Sequence, residues 1–106
     1  MRRVAAALLV LAAACSCGES QRTPAERGRE VYLANCTACH ASDPNAAGTL
    51  GPPVAGASRE LLEARVLRAE YPPGYQPVRD TRVMVALPHL AGSIDDLAAY
   101  LAEAKP

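Results

Sequence analysis

The residues best suited to chemistry in this chain are five in a row, Cys36-Thr37-Ala38-Cys39-His40. Cys-x-x-Cys-His is the signature for covalent attachment of a c-type haem, in which two thiols bond to the porphyrin vinyl groups and the histidine follows as an iron ligand. The spacing has a geometric reason. On a helical turn Cys36 and Cys39 lie three apart on one face, and His40 stands one turn beyond Cys36. Both sulfurs can then meet one edge of a flat ring while the imidazole turns under its centre. Two other chemistries use such residues. A zinc site takes four ligands, usually as two pairs separated by a loop, and the sequence offers no second pair. A thioredoxin-like redox pair sits near a βαβ pattern, which this sequence does not show.

The scaffold that must position these residues is small. The 106 residues make one domain, near the size at which a single core is only marginally stabilising. There is no Phe and no Trp, and only four Tyr, so few large side chains are on hand to bury; a porphyrin would fill that deficit. Eleven basic and eleven acidic residues give no net charge, which disfavours a nucleic-acid binder. Beyond residue 14, nine basic residues face eleven acidic ones, still near neutral.

The chain begins with a segment that reads as an export signal. Met1-Arg2-Arg3 is a charged start, and Val4 to Ala14 is an unbroken apolar run ending in small residues. At about 1.5 Å per residue this run is too short to span a bilayer core, and with its flanks it describes a secretory signal peptide over residues 1–14. Leu11-Ala12-Ala13-Ala14-Cys15 is similar to a bacterial lipoprotein signal, which implies lipidation of Cys15 at the mature N-terminus; Ala12 departs from the usual leucine. Ordinary cleavage, processing at Cys17 and an uncut anchor are the other outcomes. Residues 15–23 are polar and without periodicity, and read as a tether. From Cys15 to Arg22 they reach at most about 28 Å when extended. In bacteria c-type haem is attached outside the cytoplasmic membrane, so the export signal and the cysteine motif agree.

From Thr23 the sequence alternates helices with long loops. Thr23-Pro24-Ala25-Glu26 is a capping box with proline at the first helical position. It predicts a helix through Val31 and Tyr32 into the cysteine motif. Gly28 inside that helix costs about 1 kcal/mol against alanine. Close approach of another helix is one reason for it; a tolerated surface glycine is the plainer one. Residues 41–57 carry Pro44, Gly48, Gly51-Pro52-Pro53 and Gly56, and read as a loop wrapping something. Ser58 is a candidate N-cap with Glu60 in the first turn. The helix it starts puts Leu62, Val66 and Ala69 on one face and leaves Glu63, Arg65 and Arg68 solvated, ending before Pro72-Pro73. Tyr71 to Leu90 is a second long irregular stretch, and two such loops in a small domain point to a bound cofactor. Ser93 and Asp96 have capping-box spacing. Ile94, Leu97, Ala98, Leu101 and Ala104 then form the apolar stripe of a last helix. Nothing reads as a strand, so the fold class is all-α, with three main helices.

With these pieces placed, the chain from roughly Pro24 to Lys105 resembles the small bacterial class I c-type cytochromes, a monohaem domain over residues 24–106. In that family a Gly-x-x-x-aromatic precedes the haem motif, matched by Gly28 and Tyr32. Its glycine lets the first and last helices cross, and Ala99-Tyr100-Leu101 fits the opposite side. A Gly-Pro follows whose proline carbonyl accepts a hydrogen bond from the axial histidine, matched by Gly51-Pro52. The physics is independent of the resemblance, because an axial imidazole needs its other nitrogen oriented; an ordinary turn is the plainer reading. The resemblance places the sixth ligand at Met84, although Val85 stands where the family often has proline. His89 is the nearby competitor, and its ligation would lower the potential that His/Met ligation raises. Arg79, Arg82, Tyr71 and Tyr75 flank this loop as candidate donors to haem propionates. Core packing for Met84 and solvated positions for His89 and the arginines are the alternatives.

The function these residues imply is one-electron transfer by a carrier with both axial positions filled. It would need no catalytic acid–base pair or nucleophile, and none is evident, so no enzymatic activity is expected. Redox partners would dock transiently on a small patch around the haem edge, and membrane contact would come through the lipid anchor. A fixed electron-entry subunit of a larger oxidoreductase is one alternative, and a gas-binding or peroxide-active protein with an open sixth site is the other.

Overall fold

The computed structural model describes residues 21–105. The export segment, Cys15 and most of the tether therefore lie outside the described residues. Among the described residues there are three α-helices and no strand, in agreement with the all-α expectation. Helix α1 spans Pro24–Asn35, α2 spans Arg59–Leu62 and runs into a π-helical turn Glu63–Leu67, and a 3-10 turn Pro88–Ser93 leads into α3, Ile94–Ala104. No described helix is long and apolar enough to cross a membrane.

Helix α1 starts where its sequence says it should. The Thr23 hydroxyl accepts from the Glu26 N–H at 3.2 Å, and the Glu26 carboxylate accepts from the Thr23 N–H at 2.7 Å, so both halves of the capping box are made. The helix crosses α3 at Gly28, which is buried. A Cβ there would collide with the Asp96 carbonyl and lie 2.9 Å from the Tyr100 Cβ. The close helix approach expected for Gly28 is therefore present, opposite Tyr100. Beside the contact, the Arg27 guanidinium grips the Asp96 carboxylate through two bonds of 3.0 Å. The core below it is Tyr32, Ile94, Leu97 and Leu101, each almost fully buried, joined by Leu62, Val66 and Leu90.

Three local expectations change. The Ser93/Asp96 capping box does not form: Ser93 caps no N–H, because the preceding 3-10 turn already supplies helical backbone and Asp96 is engaged by Arg27. The second helix is not regular to its end. After four residues it widens into the π turn, and Ala69 adopts a left-handed φ of 54°. Leu62 and Val66 still share the buried face, while Ala69 leaves the helix. Arg65, expected to be solvated, is half-buried, with its guanidinium 4.1 Å from the centre of the Tyr71 ring.

Candidate haem site

The cysteine motif follows α1 directly, as a turn. Cys36 caps the helix, its N–H donating to the Tyr32 carbonyl at 2.9 Å, and the His40 N–H donates back to the Cys36 carbonyl at 2.9 Å. These i to i+4 bonds carry one more turn past the formal helix end. Cys36, Cys39 and His40 consequently face one cleft, as the spacing predicts. Both thiols are half-buried, and before haem is attached burial pushes the Cys36 thiol up to about 11.

The loop after the motif folds under it and orients the histidine. The N–H groups of Leu50 and Gly51 both donate to the Cys39 carbonyl, at 3.2 and 2.9 Å, and Gly48 donates to the Gly51 carbonyl at 2.9 Å. A side chain at Gly48 would run into the backbone of residues 39–41, and one at Gly51 would strike the His40 ring. In the sequence Gly48 is loop punctuation and Gly51 the first half of the Gly-Pro match; the cradle they form depends on contacts made across the loop. His40 Nδ1 lies 3.0 Å from the Pro52 carbonyl. A carbonyl can only accept, so Nδ1 carries the hydrogen and Nε2 is the nitrogen left to ligate.

Tyr32 plays a part that its match to the family's aromatic position did not reveal. Its ring packs against Tyr100 with centroids 5.5 Å apart, and its hydroxyl donates to the Ala41 carbonyl at 2.5 Å. It thereby ties α1 to the residue directly after His40. A tyrosine in a buried position needs such a partner, which was the available signal. Burial chiefly, with nearby negative groups adding, pushes Tyr32 up to about 12.

Met84 lines the same cleft as the motif residues and packs against the core from its edge. His89 is exposed on the 3-10 turn and is not among the cleft residues. The loop carrying Met84 is anchored behind by the Leu87 N–H, which donates to the Val66 carbonyl at 2.6 Å. In front, Tyr71 and Tyr75 stack 5.5 Å apart, nearly parallel. Arg79 donates to the Leu50 carbonyl at 3.1 Å, while Arg82 is exposed.

The cleft has a volume of about 440 Å³. Its donor set fits a covalently bound porphyrin: two thiols together on one wall, an imidazole with its distal nitrogen free, and a thioether. Among the described residues no group of three or more His, Cys, Asp or Glu gathers in a way that could hold a bare ion, so the zinc reading has no ligand set there. A family model for cytochrome c matches residues 25–105. No curated protein and no solved structure matched the chain. The chain belongs to the cytochrome c family, a haem-binding electron-transfer protein with one covalently bound haem c.

Proposed function

We propose that this protein is a one-electron carrier on the outer side of the cytoplasmic membrane. In this reading Cys36 and Cys39 would bond the haem, and His40 Nε2 and the Met84 sulfur would ligate its iron. The observation that carries it is the pairing of His40, oriented by Pro52 at 3.0 Å, with Met84 in one cleft from which His89 stands apart. When bound, the haem supplies a metal that changes oxidation state by one electron. With His40 and Met84 both supplying iron ligands, the chain itself would leave no open position for a substrate, and a soft thioether would raise the potential. Leu50, Tyr75, Val78 and Val83 line the cleft and are exposed, which supports a small apolar patch for transient redox docking.

Absorption spectra of ferric and ferrous holoprotein, wild type and Met84→Ala, test the ligand pair. The far-red methionine–iron band of the ferric form is expected to vanish in the variant. Its survival would refute the assignment, and ready carbon monoxide binding by the reduced wild type would favour an open site.

The location rests on residues 1–14 as an export signal and on lipidated Cys15 at the head of the tether. Helix α1 begins directly after Thr23, so the lipid would hold the haem domain within about 28 Å of the membrane. Wild type should incorporate labelled fatty acid and Cys15→Ser should not; equal labelling of the two would refute lipidation at Cys15.

A further inference from the structure

The side chain of Arg79 does not stand free beside the cleft. Its Nη1 donates to the Leu50 carbonyl, one residue before the Gly51-Pro52 pair that holds His40. We propose that Arg79 is a positioning residue that clasps the Met84 loop to the His40 loop, so that breaking the clasp makes Met84 easier to displace. The proposal rests on Met84 being the sixth ligand.

Both ends of the clasp are fixed. On the acceptor side, the N–H groups of Leu50 and Gly51 are pinned to the Cys39 carbonyl, so the Leu50 carbonyl belongs to the platform under the haem motif. On the donor side, the Arg79 carbonyl accepts from the Tyr71 hydroxyl at 3.4 Å. The Tyr71 ring is contacted by Tyr75 and by the Arg65 guanidinium, which itself donates to the Ala69 carbonyl at 2.8 Å. The next anchor is the Leu87 N–H on the Val66 carbonyl. Between these points residues 80–86 make no hydrogen bond among the described residues. Among the described residues the hydrogen-bond ties of the Met84 span are thus at Arg79 and Leu87, with the Met84 side chain packed at the edge of the core.

A span with so few internal bonds opens locally at low cost. A competing iron ligand binds in proportion to the fraction of molecules in which the methionine is off. The Tyr71 bond is long, so the Arg79–Leu50 bond carries most of the front anchor. Losing one partly exposed hydrogen bond should raise the open fraction roughly 2- to 10-fold.

The experiment titrates the ferric holoprotein with imidazole, following loss of the far-red methionine band. Wild type, Arg79→Gln, Arg79→Lys and Arg68→Gln are compared. Arg68 is exposed and bonded to Glu70, so its variant removes a charge while leaving the clasp intact. Arg79→Gln should bind imidazole roughly 2- to 10-fold more tightly, Arg79→Lys should fall between it and wild type, and Arg68→Gln should match wild type. Amide exchange over residues 80–87 should quicken in Arg79→Gln. Unchanged imidazole affinity in Arg79→Gln overturns the clasp, and an altered pH dependence of the reduction potential would then make Arg79 a propionate donor. Equal tightening in Arg68→Gln also overturns it, by tracing the effect to charge. A wild type without the far-red band overturns the Met84 assignment, and the clasp with it.

Discussion

A single methyl group at Gly28 tests the packing of this domain most directly. In Gly28→Ala the new Cβ would stand 2.5 Å from the Asp96 carbonyl carbon and 2.9 Å from the Tyr100 Cβ. Carbon atoms are comfortable at about 3.5–4.0 Å, so the two helices must part by roughly 1 Å. The obstructing Asp96 atoms are backbone, and no rotamer change removes them. Moving α3 outward also loosens Tyr32, Leu97 and Leu101, which are 1–2% exposed, and pulls Asp96 from Arg27. Overpacking costs about 1–3 kcal/mol, and a backbone clash belongs at the upper end. Alanine's better helix propensity offsets about 1 kcal/mol. The net loss is therefore about 2 kcal/mol, or roughly 8–16 °C in Tm for a domain of this size; Gly28→Val should lose more. The assay is guanidinium unfolding of the holoprotein followed by circular dichroism. Gly92→Ala is the control, since nothing lies within 4 Å of a Cβ there, and it should stay within about 0.5 kcal/mol of wild type. A Gly28→Ala midpoint equal to wild type, with the same denaturant slope, would refute the crossing.

Two further outcomes follow from local geometry. Tyr32 ionises near 12 when folded and near 10 when unfolded. Its contribution is therefore complete below pH 10 and is lost as pH rises towards 12, where only the unfolded chain releases the proton. Tyr32→Phe should flatten that part of the stability profile, and an unaltered alkaline limb would show that another group is responsible. Ala69 holds a left-handed φ of 54°, which costs an L-residue roughly 1–2 kcal/mol, partly balanced by glycine's greater flexibility when unfolded. Ala69→Gly should stabilise the domain by roughly 0.5–1 kcal/mol, and a loss in thermal unfolding would argue against that backbone conformation.

How much of the site was legible depended on whether its cause was local. The Thr23 cap and the Cys36–His40 turn were, because capping and helical spacing involve residues at most four apart. Ser93 and Asp96 had the same local pattern and failed. A partner 69 positions away, Arg27, took the Asp96 carboxylate, and the 3-10 turn removed the need for a cap. The π turn at Glu63–Leu67 has no periodic signature. It accompanies a tertiary bond, the Val66 carbonyl accepting from Leu87, and π turns of this kind occur often beside functional sites.

By itself the sequence determined that a haem could be attached and that helices would hold it, since thiol spacing, caps and apolar stripes are short-range chemistry. Which nitrogen of His40 is free, which carbonyl holds Arg79, and which side chains share the cleft were decided by the tertiary structure. Those facts need loops distant in sequence to meet. Pro52 reaches His40 only because Leu50 and Gly51 fold back onto Cys39, and Met84 reaches the cleft only because its loop is tied to Val66 and Leu50.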